Sequence, residues 1–359
     1  PSTVAGAPSV QVVTDVSQFR TCSECRIEVT DSTQLGSEPG GAGELMSIGG
    51  GFKLVVAEDR YFALARGGHE LVTFTRDGRF VRRIGRQGEG PGEFIAVVGA
   101  EVRGSAVYVH DIMRGLIVVF SVDGSYLRQH RFPDFDGDFL IQDSLVAISA
   151  SRNFLPDLGG YPLHRVELES GGVVTSFGAR SEQYVPSQFE GLVARRAFQD
   201  DGRVWLATLG EFRFEKWNSS SRELEEEIRG TLPWFPEAPR VYNGAGPPPT
   251  FLTSFVVDHA DRLWVLTSVA DERWRSVVSP DPSRPGRARI IDPVQAWDAR
   301  LDVFDLRNRT HVSRIVWDDS ASGELTLSPS GEAVLYRHVV DEGSFTERII
   351  VLHLGLGMQ

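Results

Sequence analysis

The 359-residue chain contains two lysines (Lys53 and Lys216), two cysteines and three methionines. It has no run approaching the roughly 18 consecutive apolar residues of a membrane-spanning helix. Its longest apolar candidates, such as residues 251–257, have the length of a strand, so no transmembrane segment of its own is expected. Cations are also in deficit: 37 basic against 49 acidic residues give a net charge of −12. That balance opposes binding to nucleic acid or to anionic lipid through net charge. Because nearly all the basic residues are arginine, the surface is rich in bidentate donors. The eight histidines, at 69, 110, 130, 164, 259, 311, 338 and 353, show no H-E-x-x-H pattern and no paired ligand spacing. There is no G-x-S-x-G elbow, and the glycine-rich stretch 88–92 lacks the Gly-Lys-Ser/Thr of a phosphate-binding loop.

The two cysteines form a lone Cys22-Ser23-Glu24-Cys25 motif. No second pair completes a zinc site, and no histidine follows Cys25 for haem attachment. The leading expectation is a short structural disulfide in an exported protein, with free thiols or redox and metal chemistry as alternatives. A first residue other than methionine, followed by small residues, fits a processed export precursor.

Against these absences stands a phrase stated twice. Leu35-Gly36-Ser37-Glu38-Pro39-Gly40-Gly41-Ala42-Gly43-Glu44-Leu45 returns as Ile84-Gly85-Arg86-Gln87-Gly88-Glu89-Gly90-Pro91-Gly92-Glu93-Phe94, 49 residues later. A period of that size marks solenoids, propellers or arrays. A second register runs beneath it: residues 59–74 superimpose without gaps on residues 105–120. Aromatic pairs recur at a spacing of 12, Phe62 with Phe74, Tyr108 with Phe120 and Trp205 with Trp217. Each pair precedes a turn, Asp77-Gly78, Asp123-Gly124 or the polar stretch 218–221, and then another alternating run. Asp-Gly between alternating apolar residues is the strongest short-range hairpin signal.

Each unit therefore reads as an antiparallel meander, and six follow one another: residues 46–94, 96–133, 137–189, 195–230, 251–318 and 322–354. Residues 222–229 could pass for a short helix, but the register requires an outer strand there, blunted by charge as exposed edges often are. The sixth unit shows only three convincing strands. Residues 26–35 run into the first glycine phrase as residues 80–84 run into the second, so the N-terminal segment should complete the last sheet and close the ring. The expected fold is all-β, a six-bladed β-propeller of four-stranded antiparallel blades over residues 26–359, preceded by an N-terminal extension, 1–25, that carries the cysteines.

Tyr108-Val109-His110-Asp111, followed by residues 115–120 and Asp123-Gly124, together with Gly-Pro-Gly-Glu-Phe at 90–94, resembles the NHL-type repeats of bacterial six-bladed β-propellers. The resemblance is strong over residues 46–130, recognisable over 195–230 and weak elsewhere. It implies a fold more than an activity, since such propellers include binding platforms, lyases and lactonases.

In such a blade the loops between second and third strands and the crossovers between blades open on one face. Three long insertions, residues 151–161, 231–250 and 269–297, all map there, and insertions gathered on one face mark the binding face of a repeat protein. They carry Trp234, Phe235, Tyr242, Trp274 and Trp297 with Arg240, Arg273, Arg275, Arg284, Arg287 and Arg289. These residue types are enriched at interface hot spots; the competing reading is that the loops fold over the propeller and bury their own aromatics. Asp111, Asp258 and His259 are the candidate ligands for a structural Ca2+ in the central channel, and no other cofactor is indicated. The sequence points to a non-catalytic, periplasmic or cell-surface scaffold that binds a protein partner, an extrinsic subunit of a membrane-associated respiratory or photosynthetic complex. A metal-dependent hydrolase or lyase acting on a small carbohydrate, lactone or peptide, and a small-ligand sensing module, are the alternatives.

Overall fold

The computed structural model describes residues 12–46, 51–132, 139–141, 145–148, 161–178, 195–200, 203–208, 211–236, 242–317, 323–341 and 346–358. Six antiparallel sheets of four strands each, five of them paired in chain order and the sixth completed by a strand from the N-terminal segment, form the blades of a β-propeller. We letter the strands A to D from the axis outward. Blade one consists of Phe52–Val56, Arg60–Ala65, Leu71–Thr75 and Phe80–Ile84. The remaining blades begin at Val97, Phe139, Arg195, Phe251 and Gly323. Helix is nearly absent, and no helix among the described residues is long and apolar enough to cross a membrane.

The ring closes as expected. Cys25–Leu35 pairs antiparallel with the last strand, Thr346–Met358, with Leu35 opposite Ile349 and Cys25 opposite Met358. At the axis, the Ser254 hydroxyl accepts a hydrogen bond from the Leu325 amide at 3.0 Å, tying strand A of blade five to that of blade six. Residues just before the closing strand are not free either. Val12–Asp15 adds a parallel strand outside Leu224–Arg229 of blade four, and Arg20–Thr21 does the same beside Thr310–Trp317 of blade five. Leu224–Arg229 is thus the outer strand that the register required, but it is not the exposed edge expected of it. Two of its three acidic residues, Glu225 and Glu227, are paired with Arg203 and Arg213, and the third, Glu226, accepts from the Thr14 hydroxyl of the added strand at 3.5 Å. The sulfurs of Cys22 and Cys25 are bonded where the chain passes from blade five to blade six.

The 12-residue aromatic spacing has a packing cause. Six hydrophobic clusters lie among the described residues, one at each blade interface. Phe62, Tyr108 and Trp205, on strands B, face the following blade. Phe74, Phe120 and Trp217, on strands C, face the preceding one. All six are at most 8% exposed. Each pair therefore places one large ring on either side of its sheet, and full burial of such a side chain is worth about 2–3 kcal/mol.

The repeated phrase makes two of the crossovers. Leu35 and Leu45 in one copy, Ile84 and Phe94 in the other, are buried anchors at the loop ends. Between them Glu44 accepts from the Gly40 amide at 2.9 Å and Glu93 from the Gly90 amide at 2.8 Å. Gly85 has φ of +86°, and the Phe94 ring fills the space that a Cβ there would need. Crossover geometry therefore accounts for these glycines.

Candidate binding face

Residues 230–250 cross from blade four to blade five, and residues 271–296 join strand B of blade five, Arg262–Ala270, to its strand C, Trp297–Asp305. The second loop is locally built. Asp271 opens it by accepting from the backbone amide of Arg273 and, at 2.7 Å, from the Arg273 guanidinium. This pairing, with the amide bond adding to it, holds the Asp271 pKa down to about 2. A short turn, Trp274–Ser276, follows, then a hairpin of Val278–Pro280 with Ala288–Ile290. A final helical turn, Pro293–Ala296, is capped by Asp292, which accepts from the amides of Val294 and Gln295 at 3.0 and 3.3 Å.

The two loops form one unit. The Ala288 amide donates to the Tyr242 carbonyl at 2.9 Å, and the Tyr242 hydroxyl to Gly246 O at 2.9 Å. The Trp297 indole donates to Pro249 O at 3.1 Å and its ring meets Phe251 edge-on at 5.3 Å. Lower on the crossover, Phe235 is buried, and both it and Trp234 pack edge-on against Phe212. The Arg300 guanidinium covers the Trp234 ring at 3.8 Å while pairing with the buried Asp302 at 2.6 Å.

The sequence-predicted residues thus divide into two sets. Phe235 and Trp274 are buried, and Trp234, Tyr242 and Trp297 are half-buried, so the aromatics fasten the loops to the propeller. Arg273, Arg275, Arg284 and Arg289 are exposed and Arg287 is half-exposed, with Arg275 lying 4.7 Å from the centroid of the Trp274 ring. Arg240 and most of the 151–161 insertion lie outside the described residues. Ile291 and Val294, 60% and 52% exposed, join the arginines on the outer surface of the insertion. Sequence reasoning passed over them, although Asp292-Pro293 is a helix-start signal that would have set Val294 on a short projecting turn.

The three candidate metal ligands do not converge. Asp111 ends strand B of blade two, on the insertion face, and accepts from the amides of Ile95 and Ala96 at 2.9 and 3.2 Å. Asp258 lies in the A–B turn of blade five, on the opposite face. It accepts from the Arg262 guanidinium at 2.6 Å and the Trp264 indole at 2.8 Å. His259 contacts Gly331 O at 3.1 Å. Both carboxylates are committed to N–H donors, and no group of three His, Cys, Asp or Glu able to hold a metal occurs among the described residues. Asp111, Asp258 and His259 therefore do not form one calcium site.

Comparison with known proteins agrees with the fold. Residues 46–145 match a family described as a 6-bladed β-propeller, DUF5128. No curated protein matches the chain. Among solved structures, the chain is similar to a Bacteroides fragilis protein described as exported. The identity is 13%, over 98% of this chain and 100% of that one, with a TM-score of 0.56. It is also similar to a DUF4221-family member from Bacteroides vulgatus, at 9% identity over 94% and 99% of the two chains and a TM-score of 0.60. At such identities the similarity speaks for the fold alone, and the chain is a six-bladed all-β propeller.

Proposed function

We propose that this propeller is a non-catalytic, extracytoplasmic protein that docks a protein partner on its insertion face, as an extrinsic scaffold or accessory subunit of a larger membrane-associated complex. Within propellers we place it with NHL-type repeats, on the phrase from Tyr108 to Phe120. The observation that carries the docking role is the joining of the 242–250 and 271–296 loops into one braced unit, aromatics inward and arginines outward. A surface held in its final shape before contact loses little conformational entropy on binding, so more of the contact energy appears as affinity. Arginine and exposed apolar side chains side by side are the mixture that interface centres favour. A disulfide and similarity to a protein described as exported support an oxidising compartment.

The test is to replace residues 272–295 by a short Gly-Ser turn and purify both forms gently from native membranes. A stoichiometric partner should leave with the insertion while thermal unfolding stays cooperative. An unchanged set of co-purifying proteins would refute the proposal.

A further inference from the structure

The Cys22–Cys25 bond closes a loop of two intervening residues, and so short a loop constrains the unfolded chain little. Ring closure does not need the bond either, because the strand that starts at Cys25 is paired along its length with Thr346–Met358. Each cysteine is held from its own side. The Cys22 amide donates to the His311 carbonyl of blade five at 3.0 Å, and Cys25 lies opposite Met358 of blade six. Their Cα atoms, 5.5 Å apart, are therefore kept together by backbone pairing whether or not the sulfurs are joined.

Both cysteines are half-buried and line a pocket of about 520 Å³ beside the turn between strands C and D of blade five, on the face opposite the insertions. Leu356 and Met358 give it an apolar side, Met358 being 82% exposed. Its charged lining residues are Arg20, Glu24 and Asp305, the last committed to Asn308, so the pocket has no marked sign. The two cysteines differ in their surroundings. Cys25 packs against the apolar cluster between blades five and six, and Cys22 lies outside it.

We infer that this bond is a thiol–disulfide exchange site, and that its pocket takes the cysteine of an extended peptide flanked by apolar side chains. A peptide thiolate attacks Cys22 Sγ, the sulfur outside the apolar cluster. A bond forms between those two sulfurs, the Cys22–Cys25 bond breaks, and its electron pair leaves on Cys25 Sγ, which takes a proton from water. A second peptide thiolate then attacks the peptide sulfur of this mixed disulfide and expels Cys22 as a thiolate, which is protonated in turn. Two peptide thiols are thereby oxidised to one disulfide and the protein bond is reduced to two thiols, one exchange per chain. Because backbone pairing keeps the two cysteines adjacent, the same steps run in reverse and close the bond again. This site is separate from the docking surface, and neither depends on the other.

The test is to equilibrate the native protein in about 10 mM reduced and about 0.1 mM oxidised glutathione, and to count open cysteines by alkylation and intact mass. At least about a third of the molecules should be open, whereas a bond that serves structure alone would stay about 99% closed. A tripeptide with leucine on both sides of its cysteine should open the bond about tenfold faster than one with glycines there, the attacking thiol being the same in both. Neither measurement needs a variant to fold. In Cys25→Ser, Cys22 should form a mixed disulfide with the oxidised leucine peptide faster than Cys25 does in Cys22→Ser. A bond still more than about 95% closed in the glutathione buffer, equal rates with the two peptides, or Cys22 reacting no faster than Cys25 would each overturn the assignment.

Discussion

The indole N–H of Trp297 donates to the carbonyl oxygen of Pro249 at 3.1 Å, fastening the foot of the blade-five insertion to the crossover that enters the same blade. Trp297→Phe keeps an aromatic ring against Phe251 and removes this bond together with part of the indole's packing. The expected cost is about 1 kcal/mol in denaturant unfolding, with faster amide exchange over 242–250. Unaltered exchange there would mean that the two loops are not coupled through this contact.

Gly85→Ala should be far more damaging than Gly104→Ala. Both glycines have positive φ, but only at Gly85 does a ring, that of Phe94, occupy the Cβ position, whereas nothing lies within 4 Å of one at Gly104. About 1 kcal/mol is expected at Gly104 and about 3 kcal/mol or more at Gly85, measured by urea unfolding. Equal losses would remove the packing explanation of the repeated phrase.

The half-buried Glu101 and the buried His164 should give stability opposite dependences on pH. Glu101, on strand A of blade two, accepts from the Ile141 amide at 2.7 Å, and desolvation raises its pKa to about 7, above the ordinary 4.5 of a glutamate. Between these values the native state keeps a proton that the unfolded chain has released. The stability this carboxyl contributes at low pH is therefore lost as pH rises through that window, and Glu101→Gln should be relatively more stable at pH 8 than at pH 4, by on the order of 2 kcal/mol. Burial lowers His164 to about 4 from 6.5, with its ring between Ser176 Oγ and Tyr161 O. There the unfolded chain binds the proton first, so stability is lost as pH falls from about 6.5 to about 4. Unfolding free energies of the parent and Glu101→Gln, taken from pH 4 to 8, check the first sign. The same series with His164→Gln checks the second, since that variant should lack the acid-side loss.

Reducing the Cys22–Cys25 bond, or replacing both residues by serine, should cost at most about 2 kcal/mol, because the closed loop is short. The ring should stay shut, since Cys25–Leu35 is held along the length of the last strand. A single unfolding transition at lower denaturant is expected; separate loss of blade six would contradict it.

Much of the fold was legible because propeller constraints are local and repeat. A ring on each side of a sheet, one facing each neighbouring blade, imposes the spacing of Phe62 with Phe74 and of Trp205 with Trp217, and a spacing is visible in a sequence. The parallel strand Val12–Asp15 was hidden, because its partner, Leu224–Arg229, is charged and looks like a terminal edge. At the binding face the residue types were correct, but their division was not readable. Whether Trp274 points inward depends on what Arg275 and the hairpin do around it, and composition carries no such direction. Asp111 and Asp258 occupy different faces because one ends a strand B and the other follows a strand A, a distinction of parity that spacing between distant blades does not reveal.

The docking surface is tested most directly by site-specific photocrosslinking in the native cell, with the reactive side chain placed at Arg284 on the hairpin tip or at Asp123 in a turn of the opposite face. One stoichiometric protein adduct at position 284 and none at 123 is the expected result. No adduct at 284, or the same adducts at both positions, would contradict partner docking on the insertion face.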